Sequence, residues 1–194
     1  MQCVILVGIQ HSGKTTAGRL LAARKGFDFF DIDLIIERLC GTSCRELYAQ
    51  KGEAAFKKAE LEACRLFQAA CAEKSKTNAK GVVCAAGGGI CDNARALSIL
   101  KKTGTCVYLD IGEEEAFSRI CARAAREGSF PAYIERHKPQ TDERRREIFH
   151  AVYERRTAEY KKKAALSVNA DGLSPEHICA AIEKLPVLNG VKVF

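Results

Sequence analysis

Residues 8–16 read Gly-Ile-Gln-His-Ser-Gly-Lys-Thr-Thr, directly after the apolar run Val4–Val7. The spacing Gly8-x-x-x-x-Gly13-Lys14-Thr15 is that of a phosphate-binding P-loop. Gly8 and Gly13 let the backbone turn tightly, so that successive N–H groups converge on one anion. A helix opening at Lys14 adds its dipole at the same place. Lys14 is expected to reach the β- and γ-phosphates, and Thr15 to ligate Mg2+ through its hydroxyl. Ser12 and Thr16 complete the expected phosphate cradle. His11 reads as loop filler.

Three further stretches lie at predicted strand ends or helix starts, where open α/β sheets place their sites. Phe30-Asp31-Ile32-Asp33 holds two carboxylates two residues apart, a spacing that shares one face in a regular strand. Their bland alternative is a strand end and a helix cap, which Asp suits well. Gly87-Gly88-Gly89 would let a substrate approach the backbone; its alternative is a plain turn. Gly52-Glu53-x-x-Phe56-Lys57-x-x-Glu60 opens a long helix. There Glu60 stands at the i, i+3 spacing that would orient Lys57, and Lys57 beside Lys58 also fits a solvated face.

These stretches need a scaffold, and the chain supplies an alternation of strand and helix. Cys3–Val7, Phe27–Phe30, Gly81–Ala86, Thr105–Asp110 and Leu166–Asn169 read as strands. Helices are expected over Lys14–Lys25, Asp33–Leu39, Glu53–Glu73, Asp92–Lys102, Glu113–Arg126 and Thr141–Lys163, and after Ser174-Pro175. Ser43 with Glu46 has the form of a capping box. The pattern implies an α/β fold: a five-stranded parallel sheet in three layers, with helices on both faces. Residues 127–140, with Pro131 and Pro139, lack periodicity and make the candidate lid. The role of the apolar end, Val187–Phe194, stays open.

Composition narrows the class. The chain has 194 residues, 47% hydrophobic and 28% charged, with formal net charge +7. These are globular values, and no apolar run nears the roughly 20 residues that span a bilayer. A strand pattern at the start, with no basic leader, gives a cytoplasmic protein as the expectation. The ten cysteines form no Cys-x-x-Cys pair and sit mostly in strand and helix runs, as small buried hydrophobes do. Residues 119–163 carry 13 Lys/Arg against 7 Asp/Glu. An anion-binding lid plus a solvated helix face explains this block better than nucleic-acid binding.

The ordered set of P-loop, Asp31-x-Asp33, Gly52-Glu53-x-x-Phe56-Lys57-x-x-Glu60 and Gly87-Gly88-Gly89 resembles the shikimate kinase family. Arg156-x-x-x-Tyr160-x-x-x-Ala164 extends the resemblance. It implies one P-loop kinase domain over 1–194, with a mobile lid at 127–140 and acceptor-binding helices over 33–75. It implies ATP-dependent phosphorylation of shikimate with Mg2+, in aromatic amino acid biosynthesis. By resemblance, Thr15 and Asp31 hold Mg2+, the Asp through water, and Asp33 binds the acceptor hydroxyl and takes its proton. Lys14 is the second catalytic residue. Gly88 and Gly89 contact the substrate, and Arg156 pairs with its carboxylate, although Arg155 beside it also fits a surface face.

Two departures stand out. Lys57 occupies the place where the family has Arg, giving a point charge instead of a two-pronged grip. Phe130-Pro131 stands where the family lid has Arg-Pro, so Arg123, Arg126 or Arg136 would have to supply the lid cation. Arg123, with Arg119, is also a candidate adenine neighbour. The departures keep open another small hydroxylated acid, such as gluconate, or a nucleotide as acceptor, and a shikimate-kinase-like regulatory module. A monomer acting on ATP and shikimate, without nucleic-acid or membrane partners, is the expectation.

Overall fold

The computed structural model describes residues 1–77 and 79–188. Its elements run β1 Gln2–Val7, α1 Lys14–Lys25, β2 Asp28–Asp31, α2 Ile32–Cys40, α3 Cys44–Ser75, β3 Gly81–Ala85, α4 Ala94–Thr103, β4 Thr105–Asp110, α5 Glu113–Glu127, α6 Ala132–Glu135, α7 Asp142–Lys163, β5 Leu166–Asn169 and α8 Pro175–Glu183. All strand pairings are parallel, in the order β2-β3-β1-β4-β5. β1 is therefore central, which explains its unbroken apolar run: both faces are covered. Cys3, Ile5 and Val7 point into one core with α3, α4 and α7, while Val4 and Leu6 point into the other with α1 and α8. The chain moves to opposite sides of β1 before and after β3, so the crevice at the carboxyl end of β1 is the topological switch point. The P-loop emerges there.

Three boundaries differ from the sequence expectation in ways that shape the site. β2 begins at Asp28, because the Phe27 N–H is taken by the Ala22 carbonyl at 2.9 Å as α1 ends. The long helix begins at Cys44 behind the Ser43–Glu46 capping box and breaks at Gly52, whose φ of 77° lies outside any right-handed helix. Asp92 does not open α4. It sits in a short 3-10 turn, Ile90–Asp92, and Asn93 caps α4 through its side chain.

The candidate lid is seated on the body of the protein. Pro131 caps the one-turn α6, and Ile134 is fully buried. Arg45 of α3 donates to the carbonyls of Ser129 (3.1 Å) and Phe130 (2.7 Å). The basic helix α7 meets much of its charge within the chain: Arg144 pairs with Glu147, Arg146 with Glu114, Arg155 with Asp92 and Lys161 with Asp110. At the apolar end, Pro186–Leu188 forms a 3-10 turn with Leu188 in the α1/α8 core; residues 189–194 lie outside the described residues. Among the described residues no helix is long and apolar enough to cross a membrane.

Candidate active site

The P-loop takes the conformation its glycines were expected to permit. Gly13 caps α1 at φ 94°, in the left-handed region that favours glycine. The Lys14 side chain folds back along the loop, donating to the Gly8 carbonyl (3.0 Å), the Ile9 carbonyl (2.7 Å) and Ser12 Oγ (3.3 Å). Burial pulls the Lys14 ammonium down to a pKa of about 8, with Asp33 and Asp31 opposing that shift. Thr15 and Thr16, in the first turn of α1, are exposed.

Asp31 and Asp33 reach this point by a different route from the one their spacing suggested. They do not alternate along a strand. Asp31 closes β2 and caps α2, its Oδ1 accepting from the Asp33 N–H at 3.0 Å. Its Oδ2 accepts from Thr15 Oγ1 at 2.9 Å. Asp33 is already in the first turn of α2. Burial raises its carboxyl to a pKa of about 6, the Asp31 charge adds to that, and Lys14 opposes it. The cap role offered as the bland alternative for Asp31 is real, and it places both carboxylates beside the P-loop.

Gly87 makes room for Asp33: a Cβ there would lie 2.7 Å from Asp33 Oδ1. A Cβ on Gly88 would meet the Gln10 backbone nitrogen at 2.6 Å, so the glycine turn after β3 lies directly against the P-loop. Arg156 comes in from α7, with its side chain only 13% exposed. It donates through Nε to Asp92 Oδ2 (3.0 Å) and through Nη1 to the Gly88 carbonyl (3.1 Å). Tyr133 of α6 covers it, ring centroid 5.1 Å from the guanidinium carbon. Arg156 is thus no surface residue, whereas Arg155 beside it is half exposed and pairs with the same Asp92.

One pairing expected from the sequence is corrected. Glu60 does not orient Lys57. It is 2% exposed and turns to Asn93, whose Nδ2 bonds both Glu60 Oε2 (2.9 Å) and the Lys57 carbonyl (2.9 Å). Burial raises Glu60 to a pKa of about 7. Lys57 instead pairs with Glu53 at 2.7 Å, and Glu53 also receives Arg136 from beyond α6 at 3.2 Å.

Around these groups lies a cavity of about 930 Å³. Asp33, Lys57, Gly88, Gly89 and Arg156 line it, as do His11, Arg123 and Arg136. Of the three arginines considered for the lid cation, Arg126 does not line it and bonds the Ala122 carbonyl of its own helix. Arg123 pairs with Glu127, and Arg119 with Glu115 and the His11 carbonyl. Asp92, Asn93 and Tyr133 escaped sequence reasoning. Only Asn93, a cap residue before an apolar run, carried a signal of its own.

The family profile of shikimate kinase matches residues 10–185. The chain belongs to the shikimate kinase family. With membership come the kinase class and the P-loop fold. A shikimate kinase of Thermodesulfovibrio yellowstonii is 30% identical over 184 residues, covering 95% of this chain and 94% of that protein. One from Chlorobium phaeobacteroides is 34% identical over 123 residues, 63% of this chain; that match spans 60% of the relative's length. Among solved structures, the shikimate kinase of Acinetobacter baumannii in complex with shikimate superposes with a TM-score of 0.79 at 25% identity, covering 99% of this chain and 96% of that one.

Proposed function

We propose that the chain transfers the γ-phosphoryl group of ATP to shikimate, giving ADP and shikimate 3-phosphate, a step of aromatic amino acid biosynthesis. One observation carries the reading. A single cavity beside the P-loop holds both a half-buried carboxylate, Asp33, and a largely shielded guanidinium fixed in orientation, Arg156. A hydroxylated carboxylic acid needs both groups. The hydroxyl oxygen bonds to the γ-phosphorus as the bond to ADP breaks, and the hydroxyl proton passes to Asp33. Phosphoryl transfer asks mainly for alignment and charge stabilisation, and Lys14 and the loop N–H groups supply these at the phosphates.

Thr15 Oγ1 and Asp31 Oδ2, 2.9 Å apart at the loop, are hard oxygen donors of the kind Mg2+ prefers. These residues would hold the ion, Asp31 through water, and the ion would offset phosphate charge. Residues 127–140 would act as the lid that excludes water from the closed site.

The test is ADP release from ATP with Mg2+, with shikimate, gluconate or nucleoside monophosphates as parallel acceptors. Saturable turnover with shikimate alone supports the reading. Turnover only with another acceptor moves the substrate, and the engagement of Lys57 by Glu53 favours that outcome over loss of catalysis. Nucleotide binding without turnover supports the regulatory module.

Arg156→Lys tests the clamp. Lysine keeps the charge but loses the planar fork, and a charge-assisted hydrogen bond contributes about 1.5–3 kcal/mol. The shikimate KM is therefore expected to rise about 10- to 100-fold, with the ATP KM unchanged. Steady-state kinetics in both substrates checks it; equal movement of both constants would reduce Arg156 to a structural part.

A further inference from the structure

His11 is the P-loop residue that its sequence role as filler does not explain. Its φ is 60°, in the left-handed region that few residues other than glycine enter, histidine being with asparagine and aspartate among those that enter it most. Backbone held there is uncommon outside glycine and persists where the surroundings support it. The support is visible: Arg119 of α5 donates to the His11 carbonyl at 3.1 Å. The residue is half-buried and lines the cavity beside the phosphate-binding loop.

The groups facing His11 are mostly cationic. Lys14 comes from α1, and Arg119 and Arg123 from α5; Glu127, at the end of α5, is the one acidic group among them. Arg119 and Arg123 each spend one ion pair on their own helix, with Glu115 and Glu127. Burial and these cations hold the imidazole neutral, at a pKa of about 4. An incoming polyphosphate reverses that local field, because an opposite charge nearby favours the protonated ring.

We propose that His11 is a phosphate-binding residue of the nucleotide site, its imidazole taking up a proton as the polyphosphate arrives. The inference rests on the ATP reading above. It makes nucleotide affinity proton-linked: the bound state holds one more proton than the free state, so affinity rises as pH falls toward the free-state pKa. Above the bound-state pKa the ring is neutral in both states, and the effect vanishes.

The test uses the full chain and ADP with Mg2+. Dissociation constants are measured by calorimetry between about pH 5.5 and about pH 8, a window in which histidine charge can change. His11→Gly and His11→Asn are the comparisons, since both residues accept a positive φ. The nucleotide's own titration is common to all three chains and cancels in the ratio. The parent is expected to bind severalfold tighter than either variant at the acid end and equally at the alkaline end. Labelled-histidine NMR gives a second readout: with ADP bound, the ring signal lost in His11→Gly should show a protonated imidazole at about pH 6. A parent-to-variant ratio independent of pH, or a ring that stays neutral with ADP bound, overturns the proposal and leaves the nucleotide reading standing. Absence of ADP binding in all three chains overturns both.

Discussion

Lys14→Ala is expected to lower turnover by about two to three orders of magnitude, on the scale seen when a preorganised charge-stabilising group is removed. The Lys14 ammonium lies among two carbonyls and the Ser12 hydroxyl, on the loop the phosphates would occupy. Placed this way, it would reorganise little in the proposed transfer, as charge moves from the γ-phosphoryl group toward the leaving oxygen. Stability should move far less. Burial lowers the folded-state pKa of Lys14 from 10.5 to about 8. The unfolded chain thus holds the proton more tightly, and the charged form costs stability at every pH below about 8. That cost fades as pH rises through 8 to 10.5. At neutral pH relief of that cost opposes the loss of the three hydrogen bonds Lys14 donates, so the variant should melt near the parent temperature. ADP release and thermal unfolding on the same preparation check both halves. Retained turnover removes Lys14 from the chemistry, and a sharp fall in Tm makes it a structural lysine.

The contrast between what the sequence makes legible and what it hides follows interaction range. The β1 run, the P-loop spacing and the Ser43–Glu46 box are local patterns, and each forms as its residues demand. Strand–helix alternation carried the sheet, because parallel strands require crossovers. The side-chain partners are another matter. Periodicity says which face of a helix is buried, not what will meet it. Glu60 and Lys57 sit at a favourable helical spacing, yet Glu60 finds Asn93 33 residues away, and Lys57 turns back to Glu53. Arg156 meets Asp92 across 64 residues, and only the 3-10 turn after the glycines makes Asp92 available. The same turn brings Gly88 against Gln10 and Arg156 against Gly88. The glycine triplet is thus the hinge of the site: a local signal whose consequences are all long-range.

Asp33→Asn should separate chemistry from stability most clearly. Asparagine keeps the shape of the side chain but cannot take a proton, and loss of a positioned general base costs about 10²–10⁴ in rate. If Asp33 takes the acceptor proton as proposed, its carboxylate must be ionised to act, so kcat/KM should fall as pH drops through about 6, the value to which burial and Asp31 raise Asp33. The variant should lose that acid limb along with the rate. For stability the sign is opposite to that of an ordinary carboxylate. The folded chain holds the Asp33 proton more tightly than the unfolded chain, with a pKa of about 6 against 3.8. The ionised group therefore destabilises the fold above about pH 6, and the effect fades as pH falls toward 3.8. Asp33→Asn is expected to raise Tm at alkaline pH and to match the parent near pH 4. A variant that is slower and more stable, with both differences tied to one titration, would identify Asp33 as a group held in an unfavourable charge state for the sake of the acceptor proton. A variant running at full speed, or an unchanged acid limb, would remove Asp33 from that role and turn attention to Glu60, which faces the same side of Gly87, lines the same cavity and has a pKa raised to about 7.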